Sequence, residues 1–316
     1  MWLLATIGSY FINGGVYVAD KFLLSKKIHS SITYAFYVGI WSVFNLVLLI
    51  FDPYVPSAKW LLIELSAGGL FLFTMVFWYK ALHQSEATRV VPIVGALVPL
   101  FSLVLSFFLL GEKLDKRHLL AFIILIAGGV LISIKNTKLH YPGKALARIE
   151  EIMGKIHARY RPTQDLVFNS MVSAFFFSLY YVFMKYIYSF EPFLGSFVWS
   201  RLGTFVGVMI IFLVPSWRDL IRKHQKGMRR EANMIFFMGV RVAAALAFII
   251  LNWAISLGNV AMVNALQGTQ FLFLILLVLL LSNRYPWILK EELGKGVLVQ
   301  KMIGIVFVSI GLYILM

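Results

Sequence analysis

Runs of about 20 mostly apolar residues dominate this chain, and nothing else in the sequence constrains its fold as strongly. Ten such runs occur, at roughly 2–22, 31–51, 59–80, 89–110, 118–134, 166–188, 193–214, 234–257, 261–282 and 300–316. Each is about long enough to cross the hydrocarbon core of a bilayer as a helix. Lipid offers no partner to an unpaired backbone group, so the choice is between helices and a closed barrel. Barrel strands would alternate polar and apolar residues, and no such alternation is present. The expected fold class is an all-α polytopic membrane protein with ten transmembrane helices.

Composition and charge point the same way. The chain is 60% hydrophobic and only 14% charged, against about 25% charged in soluble domains. A net charge of +15 would suggest nucleic acid as a partner in a soluble protein. Here the basic residues sit mostly in links between apolar runs, so the expected partner is the bilayer and not nucleic acid. The absence of cysteine excludes disulfides, thiol catalysis and cysteine-ligated metal. Met1-Trp2-Leu3-Leu4 opens without a basic region or a small-residue cleavage site, so a first span is expected there and not a signal peptide.

The links alternate in charge. Those at 52–58, 111–117, 189–192 and 258–260, with Lys59 at an edge, hold 4 Lys and Arg, whereas the other set holds 20. The positive-inside rule places the rich set, including 135–164 and 216–232, in the cytoplasm and both termini outside. A multi-pass protein of the cell membrane is expected. Within the 135–164 loop, Leu146, Ile149, Met153 and Ile156 recur at helical intervals among Lys and Arg, the pattern of an amphipathic surface helix or of a solvated linker helix.

A shift of 173 residues lays 78–99 over 251–272, matching Ala81 with Ala254, Val90 with Val263 and Gly95 with Gly268; YVADK at 17–21 also pairs with YVFMK at 181–185. Two five-helix halves follow, 1–138 and 165–316, joined by the basic segment 139–164. An odd number of spans per half inverts the second against the first, as in many secondary transporters.

At this point the residues resemble the drug/metabolite transporter superfamily, EamA type. The second half shows Lys185, Pro192 and Arg201 in YVFMKYIYSFEPFLGSFVWSR. The first half shows Lys21, then KALHQSEATRVVPIVGALVPLFSLVLSFFLLGEKL with Pro92, Pro99, Gly111 and Glu112. Ser31-Ile32 and Trp41 stand where the first half would repeat the Pro and Arg, and Arg284-Tyr285 replaces the second Gly-Glu. The resemblance implies the fold and a transport function, without a substrate.

Ionisable groups at bilayer depth are costly, so each requires a reason. Arg201 lies about 12 Å and Arg241 about 10 Å into their spans at 1.5 Å per residue. Both are candidate cationic centres of a substrate cavity, the alternative being a structural pair. Lys21 and Lys185 lie nearer helix ends, where snorkelling is cheap, and are candidates through their repeat equivalence. Asn264, Gln267 and Gln270 share a helical face, and Asn252 with its repeat counterpart Tyr79 joins them as substrate-binding candidates. Pro92 and Pro99 are expected to bend their helix by removing backbone donors. Gly203 and Gly207 form a GxxxG step suited to close packing. Glu64 is expected at the interface near Trp60.

No GxSxG, HExxH or P-loop occurs, and the six histidines lack metal-ligand spacing. Neither enzyme activity, cofactor nor metal is expected. The function expected is secondary transport, by alternating access, of a small anionic or zwitterionic metabolite such as an amino or organic acid. Four cations against two acidic groups in the spans set that preference. The alternatives are a proton-coupled exporter of lipophilic cations using Glu64, a membrane scaffold, or an intramembrane lipid-modifying enzyme.

Overall fold

The computed structural model describes residues 1–26, 30–84, 87–133, 164–224, 231–270, 272–273, 277 and 295–315. These are helical throughout, apart from short links, with no strand among the described residues. The helices are α1 (Trp2–Lys26), α2 (Ser31–Trp41), α3 (Ala58–Gln84), α4 (Ala87–Leu110), α5 (Lys116–Ser133), α6 (Gln164–Tyr188), α7 (Phe193–Leu213), α8 (Pro215–His224), α9 (Glu231–Leu257), α10 (Val260–Ala265) and α11 (Lys295–Leu315). The expected second span is divided: α2 tightens into a 3-10 helix over Ser42–Ile50.

Local chemistry marks the boundaries. Ser30 caps α2 by accepting from the Thr33 amide at 3.3 Å, and Asn259 caps α10 by accepting from Met262 at 3.1 Å. Asp115 does the same for α5 through the His118 amide at 2.7 Å. Gly111 follows the end of α4 at φ +68°, a conformation that glycine adopts without a Cβ penalty. Pro215 opens α8, where a missing amide donor costs nothing.

Seven described helical stretches are long and apolar enough to cross a membrane, and Met302–Ile314 is a shorter apolar one. Their outer faces carry exposed Leu4, Leu62, Phe108, Phe168, Ile210 and Val242. A soluble monomer would not expose so much apolar surface, so the chain is a membrane protein. The ninth expected span runs through α10; its continuation over 278–294 lies outside the described residues, as do the candidate surface helix within 139–163 and Arg284-Tyr285.

Pairing between elements is selective. α5 packs on α11, α1 on α9, α3 on both α6 and α7, and α4 on both α6 and α10, while α7 also meets Ser42–Ile50. Tyr34, Tyr180, Phe197, Phe237 and Met184 fill the centre with almost no exposure. The α3–α7 seam is the tightest approach: Gly68 faces the Ser200 carbonyl and Gly203 faces the Leu65 carbonyl, backbone against backbone. Thr204 Oγ1 donates to the Gly68 carbonyl at 3.0 Å across it. Small residues allow this proximity, as the GxxxG step at Gly203 and Gly207 requires.

Candidate substrate cavity

A cavity of about 510 Å³ lies among α1, the α2–3-10 span, α3, α4, α6, α7, α9 and the α10 region. That is within the usual size of small-molecule sites. Most of its wall is apolar or aromatic, including Trp41, Phe71, Trp78, Phe177 and Phe248. Polar groups enter from few places: Tyr10, Asn13, Tyr17 and Asp20 on α1, Ser42 and Asn45, Tyr79, Tyr181, Arg201 and Thr204, Arg241, and Asn264 with Gln267.

Arg201 sits in a cage of rings. Its guanidinium carbon lies 4.0 Å from the Phe71 centroid, 4.8 Å from Phe248, 5.4 Å from Tyr180 and 5.5 Å from Phe197. Its Nη2 donates to the Tyr180 hydroxyl at 2.7 Å, and its buried Nε has no hydrogen-bond partner among the described residues. Ring faces favour a cation, but no described carboxylate forms an ion pair with it. It is a buried positive charge whose only described hydrogen-bond partner is a neutral hydroxyl.

Arg241 differs. Packing of α1 on α9 sets its Nη2 against Asp20 Oδ1, an ion pair with both groups buried. Tyr34 completes the cluster, donating to Asp20 Oδ1 at 2.7 Å and accepting from Arg241 at 3.3 Å. This corrects the count of free cations drawn from the sequence, because Asp20 lies deep enough to neutralise Arg241. Hydropathy located both residues, but not the helix register that joins them.

The remaining candidates divide. Tyr79 lines the cavity, edge-on to Tyr34 at 4.7 Å between centroids. Asn264 lines it with Oδ1 unpartnered among the described residues, while Nδ2 donates to Ser102 Oγ at 2.7 Å. Gln267 joins it, whereas Gln270, one turn on, is buried off the cavity wall with both amide atoms unpartnered among the described residues. Asn252 also lies off the wall, donating to the Phe248 carbonyl at 2.9 Å and accepting from Tyr188 at 3.1 Å. Lys185 is not a wall residue either: its Nζ donates to the carbonyls of Ser256 and Gly258, both at 3.0 Å, where α9 ends. A cation at a helix C-terminus is favoured by the orphan carbonyls there. The side chains of Lys21 and Pro92 lie outside the described residues. Pro99 is carried within an unbroken α4 next to Val98, which lines the cavity.

Sequence reasoning counted Asp20 as an acidic group near a helix end without pairing it to Arg241, and it passed over Tyr34 and the aromatic cage. The spacing of Phe197 and Arg201 on α7, one turn apart, was the only available signal for the cage.

The end of the bundle formed by links 51–57, 111–115, 189–192 and 258–259 is closely tied. Glu112 Oε2 accepts from Asn259 Nδ2 at 2.8 Å and from the Val260 amide at 3.4 Å. Desolvation holds the Glu112 carboxyl above the usual carboxylate range, opposed by the Val260 amide, the Lys185 charge and Ser106. Tyr54 donates to Glu191 Oε2 at 2.6 Å, and its carbonyl accepts from Trp199 Nε1 at 3.0 Å. Its hydroxyl is pushed well up by desolvation first, then by the neighbouring carboxylates.

Residues 1–134 match the EamA-like transporter family, so the resemblance drawn from the motifs is shown over the first half of the chain. One solved crystal structure aligns over 99% of this chain and 94% of that one, with a TM-score of 0.60 and 14% identity. At that identity the likeness is one of fold alone. No curated protein matches the chain.

Proposed function

We propose that this chain, matched over residues 1–134 by a family of membrane transporters, is a ten-helix secondary transporter of the cell membrane built from two inverted five-helix halves. It carries a small anionic or zwitterionic metabolite by alternating access around the central cavity. The observation that carries the substrate class is the charge of the cavity wall. Asp20 and Arg241 offset one another, which leaves Arg201 as a positive charge without a described carboxylate partner.

In a low-dielectric site such a charge attracts a carboxylate or phosphate strongly, and the planar guanidinium grips either at two points. Asn264 and Gln267 then address the uncharged part of the molecule, and the aromatic walls its apolar part. Glu64 is not among the residues lining this cavity, which supports this reading over direct cation–proton exchange at one site.

Uptake by purified protein in liposomes tests the proposal, using a panel of amino acids, organic acids and lipophilic cations. Uptake of anionic or zwitterionic compounds is expected, with at least a hundredfold loss in Arg201→Gln, since charge-assisted hydrogen bonds contribute about 3 kcal/mol. Uptake of lipophilic cations alone, or normal uptake by Arg201→Gln, would overturn it.

A further inference from the structure

Glu64 is fully buried, about 9 Å along α3 from Ala58. Neither carboxylate oxygen has a described partner at ordinary hydrogen-bond length, and the donors that face it are the neutral hydroxyls of Ser196 on α7 and Tyr54. The seam around it closes backbone to backbone at Gly68 and Gly203. The groups acting on it from packed elements are Ser196 of α7, Glu191 of the α6–α7 turn, Tyr54 of the preceding link and Tyr188 of α6. None is a base. On α3 itself, exposed Lys59 lies over the Trp60 ring at 5.7 Å.

A buried carboxylate beside a second carboxyl, with no cation facing it, is costly to ionise, so the closed seam favours the neutral acid. We propose that Glu64 is a proton-binding site that couples opening of the α3–α7 seam to the pH of the solvent that reaches it. The proposal rests on the transport reading above and gives its cycle a pH-dependent gate. With the seam closed, the carboxyl carries its proton. Parting of α3 from α7 admits water, the carboxyl ionises, and the proton leaves to the solvent on that side. Closure requires a proton to be bound again, so each cycle of the seam releases one proton to that solvent and takes one back.

The chain lacks cysteine, so Ser200→Cys provides a single reporter buried in the seam beside Gly68. Labelling of the reconstituted protein by a membrane-impermeant maleimide is followed against pH, with and without Glu64→Gln. Thiolate formation accelerates both proteins alike, so the readout is the ratio of their rates. The ratio is expected to climb roughly tenfold per pH unit above the ordinary carboxylate pKa, because ionisation favours the open seam. Glu64→Asp, which keeps a carboxyl, is expected to retain the dependence and serves if the Gln variant fails to fold. Infrared difference spectra of the intact protein provide a second measure: a protonated-carboxyl band at neutral pH, absent from Glu64→Gln. A flat ratio, or no such band, overturns the proposal. Neither measurement needs a substrate, so a flat ratio with normal uptake removes the proton site alone. A pH-dependent ratio without uptake keeps the proton site and removes the transport reading.

Discussion

Gly68 and Gly69 are neighbours on α3, yet alanine should act on them in opposite directions. A Cβ on Gly68 would fall on the Ser200 carbonyl oxygen and the Thr204 amide, and 2.6 Å from the Gly203 carbonyl carbon. Ordinary contact begins at 3.4 Å, so α3 and α7 must part by at least about 0.8 Å. These are backbone atoms of a packed helix and cannot rotate aside. Overpacking costs about 1–3 kcal/mol, and the rigidity of the obstacle places this site near 3. Loss of the Thr204–Gly68 hydrogen bond adds about 1 kcal/mol. Replacing a helical glycine returns about 0.7 kcal/mol, for a net loss near 3 kcal/mol. A Cβ on Gly69 meets nothing within 4 Å, so Gly69→Ala should gain about 0.7 kcal/mol from helix propensity alone. The two variants should therefore differ by about 4 kcal/mol. Reversible unfolding in mixed micelles of a mild detergent and dodecyl sulfate, followed by tryptophan fluorescence, measures that difference. Equal stabilities would show that the seam is not closed by backbone contact.

Asp20→Asn should destabilise the protein by about 3–5 kcal/mol by leaving Arg241 buried without its partner. The double variant Asp20→Leu/Arg241→Met should recover most of the loss, and a double-mutant cycle by the same unfolding assay decides between this and independent effects. Glu112 has a raised pKa, so its contribution to stability is complete below the ordinary carboxylate value and is lost as pH rises through the raised one. The unfolding midpoint should fall across that window, and Glu112→Gln should flatten the slope. Lys185→Met should lower stability while leaving the affinity of a transported compound unchanged; loss of affinity at unchanged stability would return Lys185 to the substrate site.

The sequence disclosed depth more readily than direction. Apolar run length located seven of the ten expected spans as described helical stretches long enough to cross a membrane, because lipid imposes that length on every helix alike. It also located Arg201 and Arg241 as groups needing a reason to be buried. What it lacked was rotation about each helix axis. Asn264, Gln267 and Gln270 share a face by spacing, yet the cavity meets only the first two. Lys185 matched Lys21 through YVFMK and YVADK, but its chain reaches carbonyls at the end of α9. Glu64 was placed at the interface because it lies close to a helix start; the link 51–57 and the α6–α7 turn cover that start, and its exposure is 0%. The change from α to 3-10 geometry at Ser42 has no proline or glycine at that position to announce it. Pro215 does announce α8, within a link expected to be loop.

The two charged groups assigned separate tasks share one pair of helices. On α3, Glu64, Gly68 and Phe71 stand at i, i+4 and i+7, one stripe of a helix, and Phe71 lies against the Arg201 guanidinium at 4.0 Å. On α7, Ser196, Ser200 and Gly203 form the corresponding stripe, with Arg201 one residue beyond Ser200. Parting α3 from α7 far enough to wet Glu64 therefore also draws Phe71 away from Arg201, which removes the nearest ring of its cage. Conversely, an anion bound to Arg201 competes with the rings for the guanidinium and changes the energy of the closed seam. Proton occupancy at Glu64 and anion occupancy at Arg201 thus act on the same separation. Coupling of this kind needs no relay through the rest of the fold, only a seam held by atoms that cannot yield gradually. Backbone contact at Gly68 and Gly203 supplies that condition, because the seam is either closed or parted.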